Sequence, residues 1–252
     1  MTYKNIITSS LFWLLGAKLL TIIVQLITLA ILARLLLPSD FGTMGILLMI
    51  VGFSKIISEF GMGASIIQKQ DVTINEKRAV MLISIVIAFV FTILFYLLAD
   101  IIGKYFNNLD LILPLKVISF VFIIDSIVVI QIALAQKEMD FKFISLTAFI
   151  SHFFGNALLT IILAYLGYNI WALVFGYFLA SIISMFLYIT RFINIIKSLS
   201  HINSKKYFSF SRKLFYFSTY FTIGRIANYC ANRGDYFIIG KFLGIESLGY
   251  YT

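Results

Sequence analysis

Charged and amide side chains recur inside otherwise apolar stretches of this chain, and their spacing is regular. Lys18, Thr21, Gln25 and Thr28 stand at intervals of 3, 4 and 3. Arg225, Asn228, Asn232 and Asp235 repeat those intervals, each 207 residues further on. Steps of three and four keep side chains on one face of a helix. Gly45, Gly52, Lys55 and Glu59 form a third series, at intervals of 7, 3 and 4. Faces of this kind put cations and hydrogen-bonding groups where lipid cannot solvate them. They suit a polar, anionic ligand held between helices. Polar residues also glue membrane helices together, which accounts for Thr or Asn and accounts poorly for a cation.

Two readings fit Lys55. It stands near the middle of its apolar stretch, where a charge costs about 2.5–3.5 kcal/mol by insertion scales. It either pairs with Glu59 one turn on, or faces a water-filled cavity and binds an anion; the default for intramembrane ions favours the cavity. Asp125 either takes up a proton or cation, or pairs with a basic residue of another helix. Lys116 and Arg34 are expected to snorkel, His152 to make an interhelical hydrogen bond, and Cys230 to pack. Arg233 falls off the stripe and pairs with Asp235 or with another helix. The candidate substrate-binding residues are thus Lys18, Lys55, Arg225, Gln25, Asn228 and Asn232. The candidate ion-coupling residues are Asp125, Glu59 and Asp235.

No nucleophile–base set, phosphate-cradling glycine loop or metal cluster is legible. The chain is therefore expected not to be an enzyme, and to need no cofactor or metal. One cysteine excludes an intrachain disulfide.

Residues so placed need membrane-spanning helices to hold them. Of 252 residues 61% are apolar or aromatic and 12% charged, and the mean hydropathy is +1.00. Soluble domains carry about twice that charge, so a soluble enzyme, a disordered chain and a small disulfide-stapled domain are excluded. A transmembrane barrel would show short alternating strands instead. Seven stretches approach or exceed the roughly 20 residues that cross a bilayer: Leu11–Leu37, Phe41–Ile67, Ala79–Ala99, Leu111–Gln136, Phe143–Leu166, Ile170–Thr190 and Leu214–Leu243. The predicted class is all-α, a polytopic membrane protein with seven transmembrane helices. The first stretch is too long for a cleaved signal peptide.

With the N-terminus inside, Met1–Ser10, Gln68–Arg78, Lys137–Lys142 and Arg191–Lys213 hold twelve basic residues, and the outer connections hold Lys104 alone. That asymmetry predicts a cytoplasmic N-terminus, and Tyr165, Tyr168 and Trp171 fit an outer aromatic belt. The net charge of +9 then belongs to inner loops, and no nucleic-acid partner is expected. Arg191–Lys213 mixes basic with apolar residues. It reads either as an amphipathic linker along the inner interface or as a solvated basic loop.

The 207-residue offset extends beyond the stripes. LARLLLPSDFGTM (Leu32–Met44) aligns with IGKFLGIESLGYY (Ile239–Tyr251), pairing Arg34 with Lys241, Leu36 with Leu243 and Gly42 with Gly249. Transporters are often built from such repeats, with the binding site between them.

Five stretches, in order and covering nearly the whole chain, carry a family resemblance: LARLLLPSDFG (Leu32–Gly42), EFGMGASIIQKQDVT (Glu59–Thr73), ALAQKEMDFK (Ala133–Lys142), LGYNIWALVFG (Leu166–Gly176) and NRGDYFIIGKFLGIESLGYYT (Asn232–Thr252). The sequence resembles the Wzx-type polysaccharide-export flippases of the multidrug/oligosaccharidyl-lipid/polysaccharide superfamily. The resemblance implies two six-helix lobes around a central cavity. The expected division is a first lobe in residues 1–190, a cytoplasmic linker in 191–213, and the opening helix and following loop of a second lobe in 214–252. Relatives have a dozen or more spans, so a chain of seven is expected to be a truncated product or a piece of a longer protein, with a half-transporter that dimerises as the alternative. The implied substrate is a polyprenyl-diphosphate-linked oligosaccharide, moved across a bacterial or archaeal cytoplasmic membrane for lipopolysaccharide or exopolysaccharide synthesis. A polysaccharide polymerase and glycosyltransferases are the implied partners. Lys18, Lys55 and Arg225 stand where relatives carry basic residues thought to meet the diphosphate. Two alternatives stay open. A cation-coupled multidrug exporter of the same superfamily would favour acids and aromatics over these cations. A membrane-embedded polymerase or transferase would want a large outer loop, and the outer connections here are short.

Overall fold

Pro38 sets the first break. It occupies the opening turn of a helix, where its missing N–H costs nothing, and the Asp40 carboxylate accepts the Leu37 N–H at 3.1 Å. The computed structural model describes residues 3–69, 72–191 and 204–252, and these are helical without a strand. In chain order the helices are α1 (Tyr3–Leu35), α2 (Pro38–Glu59), α3 (Met62–Gln68), α4 (Ile74–Tyr105), α5 (Ile112–Ile118), α6 (Val121–Lys137), α7 (Phe141–Ser151), α8 (Thr160–Tyr165), α9 (Ile170–Arg191), α10 (Ser204–Phe242) and α11 (Ile245–Tyr251). A π-helical stretch, His152–Leu159, joins α7 to α8.

Five helical segments among the described residues are long and apolar enough to cross a membrane: Trp13–Leu35, Pro38–Glu59, Ile74–Tyr105, Phe141–Tyr165 and Ile170–Arg191. A sixth is the α5–α6 pair, bent by 44°. The bend falls at Ser119 and Phe120, where the Ser119 carbonyl accepts the Phe122 N–H at 3.1 Å and lies 3.1 Å from the Thr92 hydroxyl of α4, which it shares with the Ala88 carbonyl at 2.9 Å. The chain is thus an all-α, multi-pass membrane protein. The seventh expected span, Leu214–Leu243, is helical as part of α10, but its tyrosines, amides and charges keep it out of the apolar set. The second expected span is likewise two helices. Phe60 and Gly61 take φ values of 42° and 64°, a left-handed turn that ends α2. Most of the Arg191–Lys213 linker, residues 192–203, lies outside the described residues.

α2 is the central element, packed against α4, α6, α9, α10 and α11, whereas α1 packs against α7 and α8. Ile46 and Leu47 of α2 are fully buried with Leu111, Leu115, Ile118, Val174 and Leu248. Leu15, Leu19, Leu26 and Leu29 of α1 and Val86, Val90 and Leu97 of α4 are exposed, as lipid-facing surfaces are.

The offset of 207 reappears in three dimensions. α1 ends at Leu35 and α2 begins at Pro38; α10 ends at Phe242 and α11 begins at Ile245. Gly42 faces the Ile245 carbonyl, and its repeat equivalent Gly249 faces the carbonyl of Pro38, the repeat equivalent of Ile245. A Cβ on either glycine would collide with backbone. The contact is self-complementary, as a two-fold axis requires.

Candidate functional site

α10 runs antiparallel along α2 from that crossing. The α2 glycines make room for it: Gly45 lies against the Tyr236 ring and Gly52 against Tyr229. The Tyr229 hydroxyl donates to the Met49 carbonyl at 2.7 Å. At the far end of the seam the Arg225 guanidinium donates to the Glu59 carboxylate. Lys55, one turn before Glu59, turns instead towards α6, where its Nζ lies 3.8 Å from Oδ2 of Asp125. Tyr177 of α9 is a hydrogen-bond neighbour of the same Asp125 carboxylate.

Four of the nine sequence-selected residues therefore meet in one place, drawn from three helices. The expected Lys55–Glu59 pair does not form, because each residue finds a partner across a helix interface. Lys55 also lies about a turn from the C-terminal end of α2 rather than mid-helix, since Phe60 ends the helix early. A cation is favoured there by the helix dipole. The cations are the more open members of both pairs: their side chains are 39% and 35% exposed, against 8% for Asp125 and 15% for Glu59. The acids sit behind, and the positive groups face the accessible side.

The other candidates lie apart from this cluster. Lys18 and Gln25 are exposed on α1, which packs away from α10, while Thr28 of the same stripe is buried. Asn228 and Asn232 are exposed and hydrogen-bond to each other at 2.8 Å. Asp235 accepts from the Tyr251 hydroxyl at 2.6 Å, a bond that pushes the Tyr251 phenol above its ordinary pKa. Lys116 does more than snorkel, pairing with Asp100 at 3.1 Å. His152 bonds within its own helix, its Nδ1 lying 3.4 Å from Asn156 Nδ2. The i,i+4 spacing puts these two side chains on one face of the helix, so the expected interhelical bond is replaced by one within the segment. Arg233 lies over the Tyr236 ring at 4.9 Å rather than against Asp235.

Tyr229, Tyr236 and Tyr177 were missed by reading charges alone. The first two carried a signal, being set 4 and 11 residues after Arg225 on a helical face. Two recesses accompany the seam. An apolar groove of about 530 Å³ between α2, α4 and α10 is lined by Met49, Phe53, Phe95, Phe237 and the exposed Cys230. A polar cleft of about 800 Å³ at the glycine-crossing end is lined by Asp40, Asp110, Tyr168, Trp171 and Lys241. Among the described residues no group of three or more His, Cys, Asp or Glu could hold a metal ion.

The chain is 29% identical over 191 residues to the lipopolysaccharide biosynthesis protein WzxC of Escherichia coli (strain K12), covering 71% of this chain and 39% of that one. It is 27% identical to an uncharacterized membrane protein in the cps region of Klebsiella pneumoniae, across 100% of this chain and 51% of that one. It is 22% identical to the succinoglycan biosynthesis transport protein ExoT of Rhizobium meliloti (strain 1021), across 98% of this chain and 48% of that one. The chain thus spans about half the length, or less, of the curated relatives it matches. No solved structure matches it. The family model described as "Polysaccharide biosynthesis protein" matches residues 31–252, which takes in the glycine crossing, the α2–α10 seam and all four paired charges: the chain belongs to the polysaccharide biosynthesis protein family.

Proposed function

We propose that the chain acts in moving polyprenyl-diphosphate-linked oligosaccharides from the inner to the outer leaflet of a cytoplasmic membrane, by alternating access and without catalysis. The observation that carries the reading is the pair of partly exposed cations, Lys55 and Arg225, set on two helices that pack together and are proposed to belong to different lobes. A diphosphate entering a poorly solvated space needs positive charge there, since an unpaired buried anion is very costly. Arginine offers a planar fork suited to phosphate oxygens, and lysine a compact point charge. The relatives named for polysaccharide biosynthesis and transport support the same substrate class. The amide face of Asn228 and Asn232 on α10 is proposed to meet the sugar hydroxyls, and Lys18 and Gln25 to complete the lining from α1. Glu59, Asp125 and Asp235 are proposed to answer the coupling ion. The excess of basic residues in the expected inner segments supports a cytoplasmic N-terminus.

The test uses the chain in liposomes loaded with a fluorescent prenyl-diphosphate disaccharide, with an impermeant quencher outside. Faster loss of protected fluorescence than in protein-free liposomes is expected, and this gain should disappear in Lys55→Gln/Arg225→Gln. Equal gains from the wild type and the double variant would remove the two cations from the mechanism.

A further inference from the structure

The cluster that would receive a diphosphate is already neutral. Each cation holds a carboxylate, Lys55 with Asp125 and Arg225 with Glu59, and the carboxylates lie behind the cations with respect to the accessible side. Both pairs are anchored on α2 through Lys55 and Glu59, one turn apart on the same helix.

We propose that Glu59 and Asp125 are built-in competitors of the ligand: two resident anions that a prenyl diphosphate must displace, so that occupancy itself unlocks α2 from α10 and from α6. This rests on the diphosphate reading above and deepens it. Three observations carry it. First, the acids match the ligand in charge and in number of anionic groups, and each contacts the atom a phosphoryl oxygen would need. Second, the exposure asymmetry means an incoming anion meets the cations without first passing the acids. Third, the Glu59–Arg225 bond is a charged contact of the α2–α10 seam, and that seam joins the two copies of the repeat, α10 being the counterpart of α1 and α2 that of Ile245–Tyr251. A ligand that takes Arg225 therefore removes that contact at its own end of the seam while the glycine crossing at the other end stays intact. The competition also keeps affinity moderate: the ligand exchanges one set of charge-assisted bonds for another, which suits release on the far side. By linkage, whatever separates α2 from α10 strengthens ligand binding by the same factor.

The experiment measures binding of farnesyl diphosphate to the full chain in nanodiscs, with farnesyl monophosphate as the control. Glu59→Gln keeps the size of the side chain and removes its charge, so it should bind farnesyl diphosphate about tenfold tighter than the wild type, the scale of one lost competing charge-assisted bond. In an Arg225→Gln background the same substitution should change nothing, because the contested cation is gone; a merely structural Glu59 would not show that dependence. Asp125→Asn carries the same expectation at Lys55, should Glu59→Gln fail to give a monodisperse protein. Equal or weaker binding by these variants, with the wild type binding the diphosphate over the monophosphate, overturns the proposal alone. No preference for the diphosphate in the wild type and the variants alike overturns the proposal together with the transport reading.

Discussion

Asp125 has 8% of its side chain exposed, and its Oδ2 has no hydrogen bond, only the Lys55 ammonium at 3.8 Å. Removing that ammonium leaves a buried carboxylate with no cation beside it and only the Tyr177 hydroxyl as a neighbour, whereas removing both groups leaves two amides that can be accommodated. Lys55→Gln should therefore destabilise the protein by about 1–3 kcal/mol, the lower end applying because the lysine is partly solvated. Lys55→Gln/Asp125→Asn should recover part of the loss. Thermal unfolding of the four proteins in detergent gives the cycle, and a coupling energy near zero would dissolve the pair. The sequence marked all four charges as out of place in lipid, because cost per charge is a local property. It did not mark who pairs with whom. The i,i+4 spacing of Lys55 and Glu59 suggested a pair, but pairing is decided by which helices α2 touches, and one-dimensional spacing does not contain that.

At the scale of helices, the seam depends on small residues meeting large ones. Gly42 and Gly249 face backbone carbonyls, which cannot step aside. Gly52 faces the far end of the Tyr229 side chain, which can. Gly249→Ala and Gly42→Ala should each therefore cost about 1–3 kcal/mol or more through overpacking, with the two effects non-additive because they load one contact. Gly52→Ala should cost less, and Tyr229→Phe should relieve it. Midpoints of thermal unfolding rank these variants, and a Gly52→Ala effect as large as that of Gly249→Ala would contradict the seam. The 207-residue repeat was legible, with Gly42 aligned to Gly249, but the stretch after the seventh span read as a loop; that Ile245–Tyr251 is a helix and that the two glycines lie against each other depends on packing. The end of α2 was hidden, because Phe60 is a residue that rarely adopts positive φ and the apolar pattern runs straight through it. The bend between α5 and α6 was hidden for a similar reason. Its Ser119 carbonyl meets the hydroxyl of Thr92, 27 residues away in sequence.

Across the whole molecule, the distribution of basic residues predicts which end of the bundle faces outward. In a Cys230→Ser background, a cysteine replacing the exposed Asn107 should react with an impermeant maleimide added to intact cells. One replacing the exposed Gln136 should react only after permeabilisation. The reverse pattern would invert the orientation. The class of the molecule was legible from composition; α10 is long enough to cross but carries Arg225, Asn228, Asn232, Arg233 and Asp235, which keep it out of the set recognised by length and hydropathy. The reciprocal crossing of Gly42 on α2 with Gly249 on α11, the helix that directly follows α10, sets a fulcrum at one end of the α2–α10 seam. Glu59 is 17 residues from Gly42 along α2, an arm of about 25 Å at 1.5 Å per residue. A swing of about 15° around the fulcrum would carry the Glu59 end through roughly 6–7 Å on that arm. That opens the Arg225 contact fully while the glycines scarcely shift, so a small angular change is geared into a gap wide enough for a phosphate group.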